Sequence, residues 1–147
     1  MNIRKAEAKD LEGIMKLAPL HFDRAQMQKR GYMFDAEKAK KNTEGFISNP
    51  SVTLLVGEIN SIIEGMIGFF EFPQFFDSKT KGWVEFLWYG NTQRIATQMF
   101  LFAEKSFDKF DTIKIGIPVD IHAKHFLEKR NFSVTELVMS KVNKRSV

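Results

Sequence analysis

The order of secondary-structure elements predicts a single-domain α/β protein, a three-layer α-β-α sandwich around a mixed, mostly antiparallel sheet. Three observations predict it. A hairpin block at residues 52–72 is followed by strand, helix, strand, helix across 83–132, and that succession needs a sheet of mixed direction with helices on both faces. The 147 residues are enough for one core. No repeat, low-complexity tract or linker divides the chain, so 1–147 is expected to be one domain.

Each element has a local reason. Residues 2–6 read as a short first strand. Residues 9–17 read as a helix, because Leu11, Ile14, Met15 and Leu17 recur at helical spacing, and Pro19 is expected to limit it. The stretch 20–34 carries His21, Phe22, Met27, Tyr32 and Met33 without a clear period, and reads as a second short helix or a loop. Asp35 has the chemistry of an N-cap for a helix reaching about Ile47, stopped before Asn49-Pro50. The β-rich runs 52–57 and 62–72 are joined by a turn at 58–61, giving a hairpin with a four-residue connection. Residues 73–81, opened by Pro73, are expected to form a mobile loop. Strand 83–89, helix 91–107, strand 112–118 and helix 120–129 come next, the last ending at Arg130-Asn131-Phe132, with a final strand around 134–141.

Composition removes several chemistries. The absence of cysteine excludes disulfides, thiolate catalysis and Cys-based zinc sites. No apolar run approaches the roughly 18 residues of a membrane span, and the N-terminus lacks a signal-peptide core, so the expected location is cytoplasmic, with no membrane partner. The net charge of +4 is spread along the chain. Its densest cluster, Lys38, Lys40 and Lys41, lacks the interleaved aromatics of a nucleic-acid surface, which argues against nucleic acid, although a mildly positive field suits an anionic ligand. Phe, at 15 residues against 2 Trp and 2 Tyr, is in surplus. That surplus serves either a Phe-rich core or an interface such as a homodimer.

The chain resembles the GNAT superfamily of acetyl-CoA-dependent N-acetyltransferases over nearly its whole length. Ile3-Arg4-Lys5-Ala6 with Asp10-Leu11 looks like the family's opening strand and first helix, and Val56-Gly57-Glu58 through Ile67-Gly68-Phe69 is similar to its central hairpin. The run from Asp120 through Ala123, Phe126, Leu127, Glu128 and Lys129 to Phe132 resembles the family's late helix. Two departures fall on the expected site. The family's pyrophosphate loop, Q/R-x-x-G-x-G/A, corresponds here to Asn91-Thr92-Gln93-Arg94-Ile95-Ala96, with Arg94 in the place of the central glycine and the connection about two residues short. Leu127 stands where the family often has a proton-donating tyrosine, and Asn131 replaces a glycine, with a left-handed C-cap still open to it.

The resemblance implies the GNAT (acyl-CoA N-acyltransferase) fold and transfer of an acetyl group from acetyl-CoA, the cosubstrate, to a primary amine of a small molecule or protein. It implies acetyl-CoA contacts from Leu87, Trp88, Asn91, Gln93, Arg94, Ile95, Ala96, Thr97 and Asp120. Glu85 is the base candidate. Alternation groups it with Trp83, Leu87 and Tyr89 on one face of an inner strand, where desolvation would raise its pKa; a structural glutamate in an edge or salt-bridged position is the competing reading. Tyr89 is the nearest hydroxyl for the acid, although a tyrosine so placed is more often a core residue with a wet hydroxyl. His21, His122 and His125 do not form a metal-binding pattern, so no metal is expected, and surface or capping roles suit them better. The acceptor pocket is expected from 20–34 and 73–81. The alternative is a non-catalytic GNAT-fold protein, of the kind that some phages encode with eroded motifs, used for assembly or partner binding. It draws on Arg94, Leu127 and the outward-looking Phe69, Phe70, Phe72, Phe75 and Phe76.

Overall fold

Five strands form one sheet in the order β1-β2-β3-β4-β5, in a computed structural model that describes residues 1–74, 77–117 and 121–136. The strands are β1 (Asn2–Lys5), β2 (Val52–Ile59), β3 (Ile62–Gln74), β4 (Asp77–Gly90) and β5 (Thr112–Lys114). The helices are α1 (Leu11–Arg24), α2 (Ala36–Ser48), α3 (Gln93–Glu104) and α4 (Ile121–Glu128). Strands β1 to β4 pair antiparallel and β5 joins β4 in parallel. The sheet is therefore mixed and mostly antiparallel, as the order of elements requires.

Two apolar layers cover it. On one face Leu55, Ile67, Phe69 and Trp83 pack beneath Ile95, Met99, Phe100 and Ala103 of α3 and Leu127 of α4. On the other, Leu54, Val56, Met66 and Tyr89 meet Ile14 and Leu17 of α1, with Phe46 and Ile47 of α2 beside them. The Phe surplus goes largely into these layers. Trp83 lies between the rings of Phe69 at 4.1 Å and Phe110 at 4.6 Å, and Phe46, Phe70 and Phe86 form a second aromatic group. Phe69 is fully buried and Phe70 and Phe72 are half-buried, which removes these three from an outward-facing patch; Phe75 and Phe76 lie outside the described residues.

Local chemistry placed several boundaries. The Asp35 carboxylate accepts from the Lys38 amide at 2.9 Å and starts α2. Asn131, at φ 64°, closes α4 in the left-handed conformation that asparagine tolerates. Other expectations needed correction. Pro19 does not limit α1, which runs through it to Arg24; the Leu17 side of the helix is buried on the sheet, and that packing outweighs one forfeited backbone bond. Residues 20–34 accordingly split into the end of α1 and a short 3-10 turn at Met27–Arg30. The hairpin turn is two residues, Asn60 and Ser61, both at positive φ, because Glu58 and Ile59 stay in the ladder.

Residues 73–74 and 77–81 lie in strands rather than a loop: β3 runs on to Gln74 and β4 starts at Asp77, with Pro73 opposite Lys81. The β2–β3 ladder ends at Val52–Phe70 and the next bond is Glu71 N–H to Ser51 O, so at Pro73 the strand has become an edge and proline's missing N–H is not needed. Helix α3 is shorter than 91–107, ending at Glu104, and β5 is three residues rather than 112–118. Of the expected last strand, residues 134–136 are not in a strand and the remainder lies outside the described residues.

One ionic knot ties the N-terminus down. The Arg4 guanidinium reaches both oxygens of Asp10, at 2.7 and 2.9 Å, and Glu58 at 2.7 Å, joining β1, the turn before α1 and β2. Asp10 also accepts from the Glu7 amide at 2.8 Å, and its pKa is held down chiefly by Arg4. A carboxyl with a depressed folded pKa stabilises above its unfolded value, and that stabilisation disappears as pH falls through the folded value. Asp10→Asn should thus lose about 2 kcal/mol at pH 7, less than for a fully buried pair because Arg4 is partly exposed and keeps Glu58. Urea melts across pH should show the wild type losing this margin below about pH 4, and the variant lacking that part of the acid limb.

Candidate active site

The site begins where a strand loses its neighbour. Pairing between β4 and β5 covers only Gly82–Thr112, Trp83–Ile113 and Val84–Lys114, while β4 continues to Gly90. Just past that point β4 bulges: Phe69 faces Glu85 and Gly68 faces Leu87, leaving Phe86 without a partner. The Phe86 ring lies over Gly68, where a Cβ would sit 2.5 Å from it, so a glycine on β3 makes room for the bulge.

The bulge changes which face each side chain takes. Trp83 belongs to the α3 layer, and Glu85 shares that face through its partner Phe69. After Phe86 the alternation is reversed, so Leu87 and Tyr89 pack in the α1 layer and Trp88 in the α3 layer. The expected grouping of Glu85 with Leu87 and Tyr89 is therefore wrong. Glu85 and Tyr89, expected as base and acid, lie on opposite faces of the sheet.

Glu85 is half-buried at the parting of the strands. Its Oε2 accepts from the Gly116 N–H at 3.2 Å, just beyond the end of β5, so the carboxyl bridges the gap. No cation neutralises it among the described residues; Lys114 is engaged with Glu136 at 2.8 Å. Burial pushes its pKa up to about 8, against the smaller opposing pull of the Gly116 amide. The ion-paired reading of this residue is not what the structure shows.

Helix α3 starts directly on the end of β4. A Cβ at Gly90 would sit 2.3 Å from the Ala96 nitrogen, so only glycine allows the helix so close. The connection is two residues. Asn91 is bound to β3, its N–H donating to Glu64 O at 2.9 Å and its side-chain amide to the Glu64 carboxylate. Thr92 caps the helix, accepting from the Ile95 amide at 3.2 Å. The amides of Gln93 and Arg94 have no partner among the described residues, and both side chains are exposed. Ile95 is a core residue and Thr97 is half-buried, while the Ala96 carbonyl accepts from the Trp88 indole N–H at 2.8 Å. Asp120 lies outside the described residues.

Two further side chains reach β4 from α1. Because Asn91 N–H points to β3, alternation turns the Trp88 and Gly90 carbonyls toward the edge that β5 has left. Arg24 donates to Gly90 O at 3.0 Å and lies 5.0 Å over the Tyr89 ring. The His21 ring stands edge-on to Tyr89 at 6.4 Å. Burial chiefly, with the Arg24 charge adding to it, holds its pKa below the ordinary histidine value, against the opposing pull of the nearby Trp88 backbone. Sequence reasoning missed both residues. Their signal was the spacing Leu17, His21, Arg24, which continues the sheet-facing side of α1 once the helix is allowed to pass Pro19.

The remaining candidates lie elsewhere. Tyr32 lines a cavity of about 520 Å³ with Pro19, Phe22, Asp23 and Phe34. Pro19, Phe22 and Asp23 lie on the opposite side of α1 from Leu17, His21 and Arg24, so that cavity opens away from the β4 edge. Leu127 is buried in the core and offers no proton. His122 and His125 are exposed on α4, and no metal-binding group occurs among the described residues. No helix among them is long and apolar enough to cross a membrane.

No family model and no curated protein matches this sequence. Solved structures do match. A transcriptional regulator from Bacillus halodurans C-125 superposes with a TM-score of 0.74 at 16% identity, over 97% of this chain and 99% of the other. A ribosomal-protein-alanine N-acetyltransferase from Brucella melitensis biovar Abortus 2308 gives 0.66 at 8% identity, over 98% and 100%. An aminoglycoside acetyltransferase from an uncultured soil metagenomic sample, in complex with sisomicin, gives 0.66 at 16%, over 99% and 96%. At these identities the likeness speaks for architecture alone. The chain has the GNAT acetyltransferase fold.

Proposed function

We propose that this protein transfers an acetyl group from acetyl-CoA to a primary amine, at the cleft where β5 leaves β4. The observation that carries the reading is Glu85: an uncompensated carboxyl set beside a strand bulge, in the gap between parted strands, on a fold shared with acetyltransferases. Even a half-buried carboxyl without a cationic partner is costly in a purely structural role and suited to proton transfer.

The start of α3 fits a diphosphate. Two unpaired first-turn amides, Gln93 and Arg94, sit at the positive end of the helix, and the Arg94 guanidinium has no internal partner among the described residues. The grip differs from a glycine-rich wrap, since Thr92 occupies the Ile95 amide and Asn91 is held by Glu64. Arg94 makes up in charge-assisted bonding what the missing glycine removes in backbone contact. The free edge of β4 after the bulge offers the N–H groups of Trp88 and Gly90 to the extended arm and its carbonyl. Bound acetyl-CoA supplies the activated acyl carbon.

Glu85 handles the acceptor's proton. An amine attacks only as the free base, and a carboxylate with a pKa of about 8 is well matched to take a proton from an ammonium group near neutral pH.

Calorimetry with acetyl-CoA and with free CoA should give micromolar dissociation constants, and absence of heat with both would end this reading. Arg94→Gly should weaken CoA about tenfold, as expected for one charge-assisted phosphate contact; tighter binding would mean that the backbone alone holds the diphosphate.

Acetyl transfer should rise with pH through about 8 as Glu85 ionises. Glu85→Gln should lose roughly 100-fold or more. Because its folded pKa lies above the unfolded value, Glu85 lowers stability progressively as pH rises from the ordinary carboxylate range toward 8. Glu85→Gln should therefore be more stable than wild type at pH 8, by about 2 kcal/mol after allowance for its partial exposure. A thermal melt showing the variant less stable at pH 8 would make Glu85 a structural residue.

A further inference from the structure

The connection between α1 and α2 reverses direction twice. Gln26 and Gly31 stand at positive φ, 53° and 83°, one on each side of the 3-10 turn Met27–Arg30. Glycine takes that conformation freely, whereas glutamine does so at a cost in backbone strain, and such strain persists where the surroundings or a function hold it. The reversals lay residues 32–34 back beside α1. Tyr32 N–H donates to Met27 O at 3.1 Å, and the Phe34 ring meets Phe22 of α1 edge-on at 5.6 Å. Even so, Tyr32, Met33 and Phe34 are 54%, 79% and 37% exposed. Single exposed apolar residues are ordinary, but three in succession on the rim of a cavity ask for an occupant.

We propose that the cavity of about 520 Å³ between this run and α1 binds an organic ammonium ion, a cation carrying alkyl or aryl bulk. Phe22, Tyr32 and Phe34 supply aromatic walls, and the negative faces of such rings attract weakly hydrated cations. Asp23 supplies a carboxylate at the same wall. It accepts from the neutral side-chain amide of Gln28 and has no ion pair among the described residues. The cations nearest to it in the chain are turned elsewhere: Lys29 to the Gln26 side chain at 3.2 Å and Arg30 to the Met27 sulfur at 3.4 Å. The Arg30 guanidinium also lies 5.9 Å over the Tyr32 ring, so that ring already draws a positive charge.

Other occupants fit less of this chemistry. An anion would face Asp23, and a neutral apolar molecule would leave that carboxylate without a partner. A bare metal ion wants six or more oxygen ligands, against one carboxylate, the Gln28 amide and the Tyr32 hydroxyl here. The volume falls in the roughly 300–1,000 Å³ range of small-molecule pockets and exceeds what a bare ammonium group fills, hence the apolar bulk. Pro19, Phe22 and Asp23 lie on the side of α1 opposite Leu17 and Arg24, so a cation held here is not presented to Glu85. The site therefore stands independently of the acetyl-transfer reading.

Choline and its uncharged carbon isostere 3,3-dimethylbutan-1-ol test the charge, and benzyltrimethylammonium tests the apolar volume. Titrations followed by NMR at the Gly31 amide and the Tyr32 ring should show saturable shifts with choline, about tenfold weaker binding of the isostere, and tighter binding of the benzyl compound. Asp23→Asn keeps an acceptor for Gln28 and should weaken choline about threefold to fivefold. Tyr32→Ala should weaken it about fivefold. Both side chains are exposed, so melting temperature and acetyl-CoA affinity should match wild type in both variants. Equal affinity for choline and the isostere, or binding indifferent to both substitutions, overturns the assignment, as does the absence of a saturable shift with all three probes. Each of these results leaves acetyl transfer untouched, whereas a loss of acetyl-CoA affinity in both folded variants would join the cavity to the cleft and overturn its independence.

Discussion

A strand paired on both edges for three residues, then on one edge only, must satisfy its remaining backbone groups by other means. In this protein that condition arises at Val84, where β5 stops pairing with β4. The exposed edge is met from above and from the side. Glu85 reaches across to Gly116, Arg24 descends from α1 onto the Gly90 carbonyl with His21 one turn before it against the Tyr89 ring, and the Trp88 indole turns to the first turn of α3. Each hydrogen bond answers the rule that buried backbone polar groups need partners. Together they gather a carboxyl, a guanidinium and aromatic rings along one stretch of β4.

The electrostatics of that gap come from what is missing. Elsewhere the chain neutralises its partly buried charges locally, as with Arg4, Asp10 and Glu58, or Arg130 and Glu104. Glu85 alone among the described carboxylates takes a large upward shift, driven by burial with no cation among its causes to offset it. A fold that can pair its charges and leaves one unpaired at a strand parting is tolerating a cost in stability, a pattern associated with function rather than packing. The bulge at Phe86 is the backbone counterpart. It gives up ladder regularity and moves successive side chains to new faces.

Much of the fold was legible in the sequence because its signals are local. Asp35 announces a helix through its capping chemistry, Asn131 closes one through its tolerance of positive φ, and the order of strands and helices dictates a mixed sheet with two covered faces. Glu85 was legible too, as a charge inside an apolar run. What escaped depends on partners distant in sequence. The bulge reversed the parity of Leu87 and Tyr89, and only the register against Gly68 and Phe69 reveals it. Pro19 and Pro73 read as breaks, since their tolerance comes from a packed sheet and an unpaired edge rather than from their neighbours. His21 read as a surface or capping residue for the same reason: its place is set by Tyr89 of β4, far along the chain from its own helix.

The two tryptophans occupy opposite kinds of environment, and this has an optical consequence. Trp83 is sealed between Phe69 and Phe110, its indole N–H buried without a partner among the described residues. Trp88 is half-buried and its indole is tied to Ala96 at the start of α3. The first indole emits from a dry surrounding and reports on whether the interior is intact. The second emits beside the proposed phosphate grip and the vacated strand edge. The molecule thus carries two intrinsic fluorophores on neighbouring stretches of one strand, one in the packed interior and one beside the proposed site, so under the proposed function ligand arrival and loss of structure would move different emissions in a single unlabelled sample.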